Sequence, residues 1–174
     1  MILGVSACGG PAKLTSMQDY SKTCSKGVGF AGSTGYSGTK GAIHPAAAFS
    51  DTVGDWFWAD AAGFPKGWVA PVNGDPSQVQ VVVCYERQKP TTVAKTCKMQ
   101  DDSSKQEYQL TLYNTQYRLR VLEARTGNVL YEHVAEAKTG DCPLIQVTSG
   151  DRTKDYNDLQ PKDYTKLIKP YIAP

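Results

Sequence analysis

The chain has 174 residues, 19 of them basic and 17 acidic, for a formal net charge of +2. That length suits one domain with enough chain to bury a core. Charges of both signs are interspersed without a basic run, so a nucleic-acid partner is not expected, and no apolar stretch approaches the ~20 residues of a membrane helix.

Met1 to Ala7 is apolar and small but lacks the charged start and the ~7–15-residue apolar core of a complete signal peptide. It reads as the truncated end of one. Val5-Ser6-Ala7-Cys8 has the shape of a bacterial lipoprotein cleavage site, with Gly9-Gly10-Pro11 following. Residues 1–8 are therefore expected to be a signal remnant ending at the lipidation cysteine, with diacylglycerol on Cys8 as the one covalent group and no other cofactor. A leftover end with a chance cysteine is the bland alternative. Residues 9–41 are rich in Gly, Ser, Thr and Lys around Gly27-Val28-Gly29-Phe30-Ala31-Gly32, which is linker composition. They are expected to form a tether, leaving 42–174 as a globular β-rich domain.

Four cysteines remain after Cys8, and an even number in an exported chain suggests two disulfides. Ala42 to Phe49 reads as a short strand that Pro45 confines to a sheet edge or a strand start. Asp51 to Pro76 holds Trp56, Trp58 and Trp68 and reads as a long structured connection.

Val79, Val81, Val83 and Tyr85 alternate with Gln80, Val82, Cys84 and Glu86, a period of two with β-branched residues on one face. A second extended run, Thr92 to Met99, follows Lys89-Pro90. Setting Cys84 opposite Cys97 also pairs Glu86 with Lys95 and Val82 with Met99, so a hairpin with a Cys84–Cys97 bridge is expected. By elimination Cys24 then joins Cys142.

Between 107 and 123 the apolar phase shifts from even positions (Tyr108, Leu110, Leu112) to odd ones (Tyr117, Leu119, Val121), which implies a bulge near Asn114-Thr115. Gly127 in the turn Arg125 to Asn128 leads into an extended run from Val129 to Ala135. Pro161 starts a helix with Tyr164, Leu167 and Ile168 on one face, and Pro170 is expected to stop it. The fold class is mostly β or α+β: an antiparallel sheet of hairpins with a short C-terminal helix, a single disulfide-stapled domain.

Ile43-His44-Pro45, Trp68, Val79 to Cys84, Thr96-Cys97, Tyr117 to Val121, Glu123-Ala124-Arg125-Thr126-Gly127, Cys142-Pro143 and Leu167 to Ile172 together resemble an uncharacterised domain of exported or membrane-anchored bacterial proteins. The resemblance spans about residues 40–174 and implies no activity. Trp56-Phe57-Trp58 and Cys24 depart from it.

No catalytic constellation stands out. Gly27 to Gly32 matches the dinucleotide fingerprint as text but lacks the following helix. His44 and His133 are the only histidines, read as structural, and no Cys-x-x-Cys or His-x-x-x-His supports a metal site. Asp55-Trp56-Phe57-Trp58-Ala59-Asp60 is the most suggestive segment. Its aromatics either plug the sheet end or form a docking surface, and the expectation is a split, with one Trp buried and the other on a rim. The expected function is a non-catalytic interaction or accessory module of a cell-envelope protein complex, lipid-anchored on the outer face of the cytoplasmic membrane. A small-ligand or glycan receptor using Trp56 to Trp58 is the alternative, and an envelope hydrolase comes third.

Overall fold

The structure is a computed structural model that describes residues 13–51, 55–59, 63–101, 104–138, 140–143 and 153–174. The expected signal remnant and Cys8 lie outside the described residues.

Six strands form one mixed sheet: β1 (Ala46–Asp51), β2 (Trp56–Trp58), β3 (Val81–Gln100), β4 (Glu107–Glu123), β5 (Val129–Ala137) and β6 (Lys154–Tyr156). Their order is β2-β1-β3-β4-β5, with β6 added beside β4. The protein is mostly β, as expected, but the sheet is not purely antiparallel, because β1 runs parallel to β3 and β6 parallel to β4. The long connection from 52 to 80 supplies the crossover that a parallel pair requires.

β1 starts directly after Pro45, whose carbonyl accepts from the Gln80 N–H at 2.9 Å. It is an interior strand, flanked by β2 and β3, so Pro45 marks a strand start and not an edge. Its Ala46 to Phe49 are all buried. Small alanines here let layers on both faces approach the sheet closely.

The expected Cys84–Cys97 hairpin does not form. β3 is one strand of 20 residues, and both of its halves pair antiparallel with β4. Cys84 lies opposite Arg120 and Cys97 opposite Leu110, so the two sit roughly 40 Å apart along one strand and cannot bond. Pro90, read from sequence as a turn, is exposed mid-strand, and β1 covers β3 only as far as Glu86. With no neighbouring strand on that side among the described residues, its missing N–H costs the ladder little. The disulfides are Cys24–Cys84, with Cα atoms 5.6 Å apart, and Cys97–Cys142, at 5.8 Å.

The phase shift in β4 is present. Leu110 and Leu112 are buried on even positions, then Thr115, Tyr117, Leu119 and Val121 on odd ones. The surplus residues lie on the partner strand: eight steps from Arg87 to Lys95 oppose five from Tyr117 to Leu112. Bulging there turns the far half of the β3–β4 ribbon away from the sheet body.

Two layers cover the sheet. On one face lies the C-terminal helix α2 (Pro161–Ile172), whose Tyr164, Ile168 and Ile172 pack with Trp68, Phe64 and Leu159 over Ala46, Ala48, Val81, Val83, Leu119 and Val121. Pro170 does not stop this helix. It lies exposed in the last turn, and the helix continues to Ile172, with the Ala173 N–H closing on the Lys169 carbonyl at 2.8 Å.

The other face is covered by the segment expected to be a tether. A 3-10 turn, Met17–Tyr20, runs into helix α1 (Ser21–Lys26), and Met17, Tyr20, Cys24 and Phe30 pack on Ala47, Phe49, Val82, Cys84 and Leu122. Tyr20 and Phe30 are fully buried, their rings edge to face at 5.4 Å. The glycines after α1 are not linker residues. A Cβ on Gly29 would come within 2.2 Å of the Thr126 carbonyl carbon, so this backbone lies directly on the β4–β5 turn. Residues 13–41 are thus part of the domain.

Candidate functional site

Strand β2 pairs antiparallel with β1 and sets Trp58 beside Phe49, Phe57 beside Ser50 and Trp56 beside Asp51. Period-two alternation puts Trp56 and Trp58 on the face of the N-terminal layer and Phe57 on the other. The Trp58 and Phe49 rings meet edge to face at 5.2 Å. Both tryptophans are half-buried, whereas Phe57 is 51% exposed. The expected split between the two tryptophans is therefore not found: β2 is regular, so they share a face, and the division runs between them and Phe57.

An open groove of about 660 Å³ lies between β2 and α1. Asp55, Trp56, Phe57 and Trp58 line one side; Gln18, Ser21 and Ser25 line the other. The three polar residues are spaced three and four apart, which brings them onto one face of the helical turn. Gln18 donates its Nε2 to the Trp56 carbonyl at 3.3 Å, and Ser25 Oγ donates to the Ser21 carbonyl at 3.0 Å.

The helical wall is held in place by several bonds. Cys24, next to Ser25, is joined to Cys84 of β3, and its carbonyl accepts from Arg120 Nη2 at 2.7 Å. Arg118 and Arg120 share Glu86 as a counter-ion. At the start of the turn, Asp19 accepts from the Thr15 and Ser16 backbone and from Lys22 at 2.8 Å. The Lys22 bond, with those from Thr15 and Ser16, holds the Asp19 carboxyl well below its ordinary value of 3.8. Among the described residues, Asp55 is the one formally charged side chain in the groove lining.

A second hollow, of about 860 Å³, lies between β5, β6 and the start of α2. Glu136, Asp141, Asp155, Asp158 and Asp163 line it against Lys138 and Lys162. Tyr117 donates its hydroxyl to Asp158 at 2.7 Å, and burial raises that hydroxyl's pKa above its ordinary value. Sequence reading missed this cleft because its acids are scattered over some 28 residues and meet only through β6. Among the described residues, no group of three His, Cys, Asp or Glu could hold a metal.

The structure keeps the remaining candidates apart. His44 is buried at the head of β1, with Nδ1 2.8 Å from Gln80 Oε1 and Nε2 3.2 Å from the Thr39 carbonyl. His133 is exposed on β5, stacked on Tyr131. Cys24, Cys84, Cys97 and Cys142 are all in disulfides, which leaves none of them as a thiol to pair with either histidine. The Gly27 to Gly32 fingerprint follows helix α1 where a strand would be needed, and Gly27 caps that helix at φ 66°. Comparison with known families, curated proteins and solved structures finds no match to this chain, so its function is read from the groove and the disulfides.

Proposed function

We propose that the chain is a non-catalytic binding module of the bacterial cell envelope, anchored through diacylglycerol on Cys8 to the outer face of the cytoplasmic membrane. There it serves as an accessory component of an envelope complex, with the groove between α1 and β2 as its recognition surface. The observation that carries this reading is the aromatic edge strand. Trp56 and Trp58 are left half-buried, facing a wall that a disulfide and an arginine fix in place, with Phe57 half exposed between them on the opposite face. Partly exposed aromatics on rigid elements are typical binding anchors. The two disulfides suit an oxidising compartment, and among the described residues no helix is long and apolar enough to cross a membrane.

The test uses the full chain with Cys8→Ser and isolated, washed envelopes. Saturable co-sedimentation is expected, weakened about tenfold or more by Trp56→Ala and by Ser25→Tyr, which fills the groove from an exposed helix position. Binding indifferent to both changes refutes the groove as the recognition surface. With Cys8 intact the protein should fractionate with membranes, since diacylation supplies the two chains that stable attachment needs. Recovery in the soluble fraction with an unmodified thiol refutes the anchor.

A further inference from the structure

We infer that the groove between α1 and β2 takes a neutral oligosaccharide, an assignment that rests on the groove's being the recognition surface. Four features of the lining select this chemistry. The first is the pair of indoles: two residues apart on one strand face, Trp56 and Trp58 sit about 7 Å apart and can address neighbouring rings of one chain. Sugar rings present C–H faces that stack on aromatics, while their hydroxyls lie around the ring edge.

The second feature is the opposing wall. Gln18, Ser21 and Ser25 offer one amide and two hydroxyls. The Ser21 hydroxyl can donate or accept, and Gln18 keeps its Oε1 and one N–H beyond the bond to Trp56. Ser25, whose proton goes to the Ser21 carbonyl, keeps an accepting oxygen for ligand hydroxyls. Third, among the described residues Asp55 is the one charge in the lining, and no Lys or Arg lines the groove. A phosphate, a uronic acid or an acidic peptide would meet a carboxylate and no counter-ion. A polycation would find a better site in the acidic cleft at the start of α2, where five carboxylates face two lysines.

Fourth, the geometry disfavours an added peptide strand. β2 is only three residues long, and its Trp56 carbonyl already accepts from Gln18. Strand addition draws its affinity from a run of open main-chain groups along an edge. This edge offers too few.

The experiment follows the indole N–H resonances of the full chain with Cys8→Ser. Trp56 and Trp58 report on the groove, and buried Trp68 serves as an internal reference. Cellohexaose and chitohexaose are the neutral probes, hexagalacturonate the anionic one and a proline-rich decapeptide the peptide one. A neutral hexasaccharide should shift the Trp56 and Trp58 signals saturably and leave Trp68 unmoved. Ser25→Tyr should weaken this about tenfold without lowering the unfolding temperature. Stronger shifts with hexagalacturonate or the peptide overturn the assignment, as does the absence of any shift with the neutral probes. If the neutral probes fail while envelope binding still depends on Trp56 and Ser25, only the glycan assignment falls. If envelope binding ignores the groove as well, both readings fall.

Discussion

The two layers that sandwich the sheet reach the same end by different means. The C-terminal layer is one amphipathic helix, in which Tyr164, Ile168 and Ile172 repeat every four residues and form a continuous stripe. The N-terminal layer has no such stripe. It is held by a few deep anchors (Met17, Tyr20, Cys24 and Phe30) on a backbone that is otherwise short helix and glycine loop. The first layer takes its stability from periodic burial; the second needs a covalent bond and close backbone contact to stay in place. A segment with linker composition can thus be core, provided its few large side chains are buried completely.

Removing the staples should separate the layers most sharply. In the chain-entropy model, loops of 60 and 45 residues each contribute about 4 kcal/mol. Cys24→Ala with Cys84→Ala should exceed that, because both sulfurs are buried and their loss leaves a cavity. Cys97→Ala with Cys142→Ala should stay near it, since Cys142 is exposed. Denaturant unfolding of the two variants checks the order, and brief dithiol treatment followed by peptide mapping should find Cys97–Cys142 opened first. Equal losses and equal reduction rates would contradict the asymmetry between the staples.

Next come the buried tyrosines, one per layer. Tyr20→Ala and Tyr164→Ala should each cost about 3–5 kcal/mol, as deletions of large buried aromatics do. A loss well under 1 kcal/mol for Tyr20→Ala would restore the tether reading of the N-terminal segment. A third, smaller effect is alkaline. Burial pushes the Tyr20 hydroxyl from 10.0 up to about 12, despite its bond with Ser33. Its folded pKa is raised, so its contribution is complete below pH 10 and is lost as pH rises through about 12. Burial raises Tyr117 and Tyr164 on the helix face as well. Stability should fall above pH 10, and Tyr20→Phe should flatten only part of that fall, leaving the share of the C-terminal layer.

The smallest effect concerns the Asp19 cap. Asp19→Asn should cost about 1 kcal/mol near neutral pH, because it turns the charge-assisted bonds from Thr15, Ser16 and Lys22 into weaker neutral ones. The folded carboxyl is depressed, so its contribution is complete above the ordinary value of 3.8 and is lost progressively as pH falls from there through the much lower folded value. Wild-type and variant unfolding curves should therefore converge in acid. A gap that persists at low pH would assign the loss to packing instead.

The same contrast explains what the sequence made legible. Pro161 with Tyr164 and Ile168 announced α2, and the phase shift in β4 announced an irregularity, because both are local periodicities. Met17, Tyr20 and Cys24 also have helical spacing, but over fewer than three turns, and glycine-rich composition outweighed them. Pro90 misled because a proline between two extended runs reads as a turn unless the strand is known to lack a neighbour on that side. That one error also produced the wrong cysteine pairing. Half of the groove was visible in Trp56, Phe57 and Trp58. Its other wall was not, since Gln18, Ser21 and Ser25 look like any solvated polar residues until Cys24–Cys84 brings α1 to the sheet.

The order of those bridges has a consequence for biogenesis. Cys24 joins Cys84 and Cys97 joins Cys142, so each cysteine of the folded domain bonds the next one along the chain and the two loops neither nest nor overlap. A thread emerging N-terminus first into an oxidising space exposes the first pair before the third cysteine arrives. An oxidase that joins thiols in the order they appear then makes the native bonds directly. Acylation of Cys8, as proposed above, would withdraw the fifth thiol from the competition, so the protein should mature without a disulfide isomerase.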